Sequence, residues 1–174
     1  LAGRTVAVCF GCDEAFFGFA KGLVLSLAGK LDAESALCFI DAGISASSRK
    51  WLEDRNVRIT DFDPAQFNPA FRLHLASSYV NAQICRPYLP LLLPGYDVYV
   101  WLDSDTWVQN PASIRSFVAS SSAHPGKIAI SSTDPWAYEF TPAQAQEFQN
   151  YSYLWYEGIF GSAMAATYSD KKIL

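Results

Sequence analysis

Short apolar runs alternate with amphipathic stretches along the first part of the chain. Three runs are rich in β-branched and aromatic residues, which predicts strands at 4–10, 35–41 and 57–63. The stretches between them carry apolar residues at helical spacing, which predicts helices at 14–27 and, after a serine cap, at 45–55. Strands that alternate with helices pair in parallel through right-handed crossovers. We therefore predict an α/β fold with a Rossmann-like, mostly parallel central sheet flanked by helices.

A proline-interrupted helical stretch precedes the most continuous apolar run of the chain. Residues 76–93 have helical character, but Pro87 and Pro90 must kink or segment the helix. The run YDVYVWL at 96–102 predicts a strand that is buried on both faces at the middle of the sheet. The remaining pattern predicts a helix at 111–121, a strand at 127–133, a helix at 141–154 and a strand at 158–166.

The composition is typical of one globular domain over residues 1–174. The chain is 51% hydrophobic, 15% aromatic and 17% charged, which suffices for one buried core and argues against disorder. Its net charge of −4 offers no basic stripe, so we expect no nucleic-acid partner and favour small ligands. The apolar stretches are too short to span a membrane. The start without Met and the abrupt end predict a piece of a longer protein.

One pair among the four cysteines forms a Cys-x-x-Cys motif, CFGC at 9–12. A redox site would place this motif at a helix start, which the pattern permits, but Asp13 and Glu14 follow at once and disfavour a thiolate. A zinc site would need two more ligands at matching spacing, and the sequence offers none. We favour Cys9 as a buried strand residue.

The stretch YVWLDSDTWVQNP at 99–111 places two carboxylates, Asp103 and Asp105, directly after an apolar strand. Ligands of parallel α/β sheets lie beyond the carboxyl ends of the strands. Two such carboxylates can hold one hard divalent cation, whose open positions accept phosphate oxygens. The alternative is an Asx-type turn that caps the helix at 111–121, and the motif alone leaves the two interpretations even.

The chain contains a second Asp-x-Asp, and Asp103 also begins a pattern that partly matches another class of enzyme. A second Asp-x-Asp, Asp61 and Asp63, follows a polar run typical of an edge strand, and Pro64 comes next, so we interpret it as turn chemistry or a solvated face. Phosphotransferases of the haloacid dehalogenase type place Thr or Val two residues after their second Asp. Trp107 stands at that position here, and the pattern fails there.

Four segments in order carry a resemblance to a known family. They are FGCDEAFF at 10–17, IDAGISASSRKWL at 40–52, DFDPAQF at 61–67 and RPYLPLLLPGYDVYVWLDSDTWVQNP at 86–111. They resemble the nucleotide-sugar half of glycosyltransferase family 8, the retaining GT-A enzymes that include lipooligosaccharide galactosyltransferases and glycogenin. Four ordered matches are more specific than one Asp-x-Asp. The resemblance favours the metal interpretation and implies a GT-A fold, a UDP-sugar donor and Mn²⁺ or Mg²⁺.

The resemblance also implies roles for individual residues. Asp13 would receive the uracil edge near Gly11, with Phe16 at the aromatic position of the family, and Ser104 would face the ribose. Arg86 would contact the donor sugar or diphosphate, with a surface ion pair as the alternative. The remaining implied positions are Asp103 and Asp105 on the metal and Asp134 at hydroxyls of the donor sugar, with a turn before Pro135 as the alternative for Asp134.

The chain departs from the family pattern at several catalytic positions. The third metal ligand of the family is a His in a His-x-x-Gly-x-x-Lys-Pro pattern, whereas His74 and His124 have no such setting. The Gln-Asp or Asn-Asp pair is absent, FGSA at 160–163 replaces FNSG, and Ala15 stands where Asn is frequent. Each change removes a catalytic or acceptor contact rather than a nucleotide contact. No nucleophile can be named, and Glu157 is a weak candidate beside a core-edge interpretation.

Three functions remain open at the level of sequence. The first is a retaining hexosyltransferase that acts on a glycan or lipid-linked acceptor with Mn²⁺ and is expected to be cytoplasmic. This sequence would then be part of a longer chain, without the C-terminal segment of the family. The full-length protein would allow peripheral membrane contact. The second is a truncated or degenerate domain that binds nucleotide sugar, or serves as a scaffold, without turnover. The third is a redox or phosphatase domain in which Cys9, Cys12 or Asp103 reacts.

Overall fold

The computed structural model describes residues 3–66, 78, 80–124 and 129. The chain divides into two compact units, one formed by Leu1–Asp63 and Ser78–Ile130 and the other by Pro64–Ser77 and Ser131–Leu174. All strands and α-helices described below lie in the first unit. The described part of the second unit is the 3₁₀ turn Pro64–Gln66. One domain over 1–174 stays a prediction, and the elements predicted at 127–133, 141–154 and 158–166 lie outside the described residues, apart from residue 129.

Strands and helices alternate in the first unit as the hydrophobic pattern predicts. The strands are β1 (Val6–Cys12), β2 (Ser35–Asp41), β3 (Arg58–Asp61) and β4 (Val98–Trp101). The helices are α1 (Phe17–Leu27), α2 (Ala46–Glu53), α3 (Val80–Ile84), α4 (Leu89–Leu92) and α5 (Ala112–Ala123). The described strands pair in the order β3-β2-β1-β4, and every pair is parallel. The predicted α/β class and parallel central sheet are confirmed.

Proline segments the helical stretch before β4, as expected. In the described part of 76–93, α3 is followed by the 3₁₀ turn Arg86–Tyr88 and then by α4. Pro87 and Pro90 lie in the first turns of the last two elements, where a missing N–H costs no helical hydrogen bond. This segmentation places Arg86 at a junction between helices rather than along one continuous helix.

In the described sheet, β1 pairs with a strand on each side, β2 and β4. Every residue of β1 is buried, and the rings of Phe10 and Phe39 pack edge to face with centroids 5.1 Å apart. In β4, by contrast, Tyr99 and Trp101 are only half-buried, and the described order ends at this strand. Tyr99 and Trp101 are amphipathic rings that an apolar count treats like aliphatic side chains, so the predicted burial of 96–102 is incomplete. Its place at the middle of the sheet stays a prediction, because the strand predicted at 127–133 lies outside the described residues, apart from residue 129.

The two faces of β1 have different neighbours. Val6, Val8, Phe10 and Cys12 contribute to one core with residues of α1, α2 and α5. Side chains alternate along a strand, so the odd-numbered residues face the opposite side. Helix α3 contacts β1, and its Ala82 lines one cavity together with Gly11. The face that carries Gly11 therefore borders the cavity described below.

The start of α2 is tied to the loop that follows β1. Ser45 caps the helix by accepting a hydrogen bond from the Ser48 backbone N–H, which confirms the predicted serine cap. Glu14 accepts from the Ser45 backbone N–H at 2.7 Å and from the Ser48 hydroxyl at 2.9 Å. These hydrogen bonds lower the pKa of Glu14, and the bond from the Ser45 backbone N–H contributes most. The 3₁₀ turn Glu14–Phe16 is thereby anchored to α2.

The second Asp-x-Asp belongs to an ion-pair network rather than to the cavity. Arg49 of α2 donates to Asp41 at 2.8 Å and to Asp61 at 2.9 Å. Strand β3 lies at the end of the described order, as its polar sequence predicts. The Asp61 side chain is 78% exposed, which agrees with its interpretation as part of a solvated face.

Candidate functional site

A cavity of about 300 Å³ lies at the carboxyl ends of β1 and β4. Among the eight predicted site residues, six line it: Gly11, Phe16, Arg86, Asp103, Ser104 and Asp105. They come from the end of β1, the 3₁₀ turns Glu14–Phe16 and Arg86–Tyr88, and the loop after β4. The parallel register of β1 and β4 brings these stretches together, since Cys9 pairs with Trp101.

Asp103 and Asp105 share one tight turn. The Thr106 backbone N–H donates to the Asp103 carbonyl at 2.9 Å, which closes a four-residue turn after β4. Both carboxylates are exposed, whereas Ser104 between them is only 7% exposed. The Ser104 hydroxyl donates to the Gly11 carbonyl at 2.9 Å and so ties the turn to β1. The turn presents two carboxylates to the cavity, while the role of Ser104 toward a ribose stays a prediction.

Neither aspartate caps α5. The N-terminal contact of that helix comes from Asn110, whose side-chain oxygen accepts from the Ala112 backbone N–H at 2.9 Å. Residues between Asp105 and Asn110 separate the turn from the helix. The alternative of an Asx-type cap for Asp103 and Asp105 was therefore wrong, because a nearer side chain serves the helix.

Arg86 and Trp101 both bind the same oxygen of Asp103. The Arg86 Nη2 donates to Asp103 Oδ1 at 2.7 Å, and the Trp101 Nε1 donates to that oxygen at 2.9 Å. The guanidinium carbon of Arg86 lies 5.0 Å from the centroid of the indole ring, within the range of a cation–π contact. The alternative of an ion pair for Arg86 is thus observed, and its contact with a donor stays a prediction.

Gly11 provides the space that the indole occupies. A Cβ atom at this position would lie 2.8 Å from the Ile40 carbonyl oxygen and 3.3 Å from the Trp101 ring. A side chain at residue 11 would therefore press on the neighbouring strand β2 and on the indole at once. The absence of a side chain lets Trp101 lie across the end of β1.

Asp13 lies beside the cavity with both carboxylate oxygens engaged. Its Oδ1 accepts from the Phe16 backbone N–H at 3.3 Å, and its Oδ2 accepts from the Ser78 hydroxyl at 2.7 Å. Asp13 is not among the residues that line the cavity. Its predicted contact with uracil stays a prediction, and Asp134 lies outside the described residues.

The Cys-x-x-Cys motif lies entirely within β1 and not at a helix start. Side chains three residues apart on a strand point to opposite faces, and the Cα atoms of Cys9 and Cys12 are about 10 Å apart at a rise of roughly 3.3 Å per residue. A disulfide needs Cα atoms within about 7 Å. All four cysteines are free and buried. The fold thus excludes a Cys9–Cys12 disulfide, which contradicts the redox interpretation of the motif.

Because of two buried thiols, the free energy of unfolding is expected to depend on pH in the alkaline range. Burial raises the pKa of Cys12 and of Cys85 from 9.0 to about 12. Between these values the unfolded chain releases protons that the folded chain retains, so the free energy of unfolding is expected to fall as pH rises from 9 to 12. Urea unfolding across this range measures the slope. A Cys12→Ala/Cys85→Ala variant should show a shallower slope, and an unchanged slope would contradict the assignment to these thiols.

Sequence analysis missed Trp101, Gln83, Ala82 and Cys12 as lining residues of the cavity. For Trp101 a signal was present, because a residue two positions before Asp103 lies on the same side of an extended chain. For Gln83 and Ala82 we find none, since they come from the proline-segmented stretch before β4.

The carboxylate pair fits a hard divalent cation bound by few protein ligands. Carboxylate oxygens suit Mn²⁺ and Mg²⁺, and such ions keep positions for phosphate oxygens or water. No cluster of three or more His, Cys, Asp or Glu side chains that could hold a metal occurs within the described residues. His124 lies at the end of α5, and His74 is outside the described part. Asp103 and Asp105 would thus hold the ion together with oxygens of a ligand.

Comparison with known proteins gives partial structural matches. No protein-family model and no curated protein matches the sequence. The galactosyltransferase LgtC in complex with donor and acceptor sugar analogs is 23% identical, with a TM-score of 0.47 over 63% of this chain. The bifunctional glycosyltransferase WbbM is 20% identical over 67% of this chain with a TM-score of 0.47, and TarS from S. aureus (1-349) is 11% identical over 74% with a TM-score of 0.46.

The matches span less than half of those proteins. This chain covers 41% of LgtC, 21% of WbbM and 38% of TarS. Within the described part of the chain, no helix is both long and apolar enough to cross a membrane.

Proposed function

We propose that this chain is the donor-binding part of a glycosyltransferase of the GT-A type, similar to family 8. It would take a UDP-sugar with Mn²⁺ or Mg²⁺ and transfer a hexose to a glycan or lipid-linked acceptor with retention of configuration. The observation that carries the proposal is the turn after β4, where two exposed carboxylates share a cavity wall with the guanidinium of Arg86. A cation site next to a fixed positive charge suits a diphosphate.

Different residues of the cavity would bind different parts of a nucleotide. Asp103 and Asp105 would hold the divalent ion, which when bound screens the negative charge of a departing diphosphate. Arg86 is 44% exposed at its side chain and has further N–H groups besides the one that binds Asp103. It can therefore contact a phosphate while it stays beside the carboxylate. Charge that develops on the leaving group is what such a site binds more tightly than the ground state.

Phe16 supplies an apolar surface to the same cavity. Its side chain is 46% exposed and packs beside Phe19, with ring centroids 5.8 Å apart. An exposed aromatic ring next to charged groups suits a flat base attached to a diphosphate. This arrangement supports the assignment of the loop after β1 to the nucleotide base. The donor sugar contact of Asp134, the acceptor, a cytoplasmic location and peripheral membrane contact belong to the same proposal.

A second candidate is a domain that binds nucleotide sugar without turnover. The sequence FGSA at 160–163 in place of FNSG, and Ala15 in place of the frequent Asn, favour it. Both candidates require metal-dependent UDP binding at Asp103 and Asp105. They differ in whether the sugar of a UDP-hexose is released or transferred, which chromatography of UDP formed over time would measure.

Replacing Arg86 by Gln is expected to weaken UDP binding about tenfold, because a charge-assisted hydrogen bond to the diphosphate is lost. Uridine, which has no phosphate, should bind the variant as it binds the original protein. Calorimetric titration of both compounds measures the difference. Arg115→Gln is the matched control, since Arg115 has similar side-chain exposure, 46%, and pairs instead with Asp32. Equal weakening of uridine and UDP would contradict a diphosphate contact for Arg86.

A further inference from the structure

Trp101 links the end of β4 to the two charged groups of the cavity. Its indole N–H and the Arg86 guanidinium converge on a single oxygen, Asp103 Oδ1, at 2.9 and 2.7 Å. Across the part of the chain that the structure describes, no hydrogen bond reaches the other oxygen, Oδ2. One carboxylate oxygen thus carries two protein donors, while the second oxygen accepts no hydrogen bond from the described residues.

The position of the indole is defined by packing as well as by hydrogen bonding. Trp101 is half-buried and lies across Gly11, where a Cβ atom would come within 3.3 Å of the ring. The same ring receives the Arg86 guanidinium carbon at 5.0 Å from its centroid. Strand pairing, the close contact with Gly11 and the Arg86 guanidinium all restrict the indole. Its N–H is therefore a fixed donor rather than a mobile one.

We propose that Trp101 is a positioning residue that orients the Asp103 carboxylate for a divalent cation. The indole N–H and Arg86 hold Oδ1, and Oδ2 is the oxygen that a cation shared with Asp105 would take. Hydrogen bonds to a ligating carboxylate set its orientation and affect metal affinity. This inference rests on the proposed function, since it requires that Asp103 and Asp105 bind a cation together with UDP.

The first experiment compares two Trp→Phe variants for Mn²⁺ affinity. Trp101→Phe keeps an aromatic ring for Arg86 but removes the N–H donor and part of the ring area. Trp107, which is 65% exposed and does not line the cavity, serves as the control for the same chemical change. Free Mn²⁺ is measured by electron paramagnetic resonance in the presence of UDP. We expect about tenfold weaker Mn²⁺ binding in Trp101→Phe. Trp107→Phe should bind as the original protein does.

A second readout follows the indole N–H itself. The ¹⁵N-labelled indole resonance of Trp101, assigned by its loss in Trp101→Phe, should move in Asp103→Asn because a charge-assisted hydrogen bond becomes a neutral one. It should stay in place in Asp105→Asn, since Asp105 does not accept from the indole. Equal behaviour in both variants would mean that the indole N–H is not bound to Asp103, which would remove the contact that the positioning role requires.

The outcomes separate this inference from the proposed function. If the original protein binds no Mn²⁺ in the presence of UDP, the proposed function fails and the positioning role fails with it. If the original protein binds Mn²⁺ but Trp101→Phe binds it equally well, only the positioning role is overturned. An indole resonance that does not move in Asp103→Asn would also overturn the positioning role of Trp101.

Discussion

Replacing Asp103 and Asp105 together by Asn is expected to abolish the Mn²⁺-dependent part of UDP binding, a loss on the order of 100-fold or more. The carboxylates are the only charged oxygens that the turn after β4 presents to the described cavity. Amide oxygens are neutral and compensate little of the charge of a divalent ion that also carries a diphosphate. The exposed turn is closed by backbone groups, so the double replacement should leave the fold intact.

The measurement is a calorimetric titration of UDP with and without Mn²⁺. The chain offers a matched control in its second Asp-x-Asp, and Asp61→Asn/Asp63→Asn should retain Mn²⁺-dependent binding because Asp61 pairs with Arg49 away from the cavity. Circular dichroism verifies that both variants are folded. Binding that survives in Asp103→Asn/Asp105→Asn would place the metal elsewhere. An original protein that binds no UDP under either condition would make a scaffold without ligand the leading function.

The Gly11→Ala replacement is expected to lower the free energy of unfolding by about 1–3 kcal/mol. The added methyl group would lie 2.8 Å from the Ile40 carbonyl oxygen, a backbone atom that cannot move without displacing β2. It would also lie 3.3 Å from the Trp101 ring. The replacement should therefore shift the indole and weaken Mn²⁺-dependent UDP binding in addition to its effect on stability.

Gly22→Ala gives the same chemical change with the opposite expected sign. Gly22 lies within α1, and a Cβ atom there meets no other atom within 4 Å. Alanine in the interior of a helix is more favourable than glycine by about 0.5–1 kcal/mol, so this variant should be more stable than the original protein. Urea unfolding of the two variants measures both effects. A Gly11→Ala protein as stable as Gly22→Ala would contradict the close approach of β1, β2 and Trp101.

Much of the fold could be predicted because the signals were local. The runs at 35–41 and 96–102 and the stretch at 14–27 predict elements that the structure places within a few residues of those bounds. The alternation of strands and helices then restricts the described sheet to parallel pairing. The two carboxylates at the end of β4 could likewise be predicted from local sequence, since Asp103 and Asp105 follow the last apolar residues directly.

The burial of each strand could not be predicted in the same way. An apolar count favours complete burial of 96–102, but Tyr99 and Trp101 keep polar atoms that form hydrogen bonds, and both side chains are half-buried. The Cys-x-x-Cys motif was compatible with two placements, and the prediction of Cys9 as a buried strand residue is confirmed. Spacing alone does not distinguish a strand, which separates Cys9 from Cys12, from a helix start that would bring them together.

The sequence by itself determined the α/β class and the two carboxylates at the end of β4, because strand and helix signals depend on neighbouring residues. It also determined the parallel pairing, because strands that alternate with helices need crossover connections. Only the tertiary structure decided that Ser104 binds the carbonyl of Gly11, 93 residues away, and that Arg86 and Trp101 share one oxygen of Asp103. These contacts depend on the register between β1 and β4 and on a missing side chain at Gly11. Register and close packing arise between distant segments, and no local pattern encodes them.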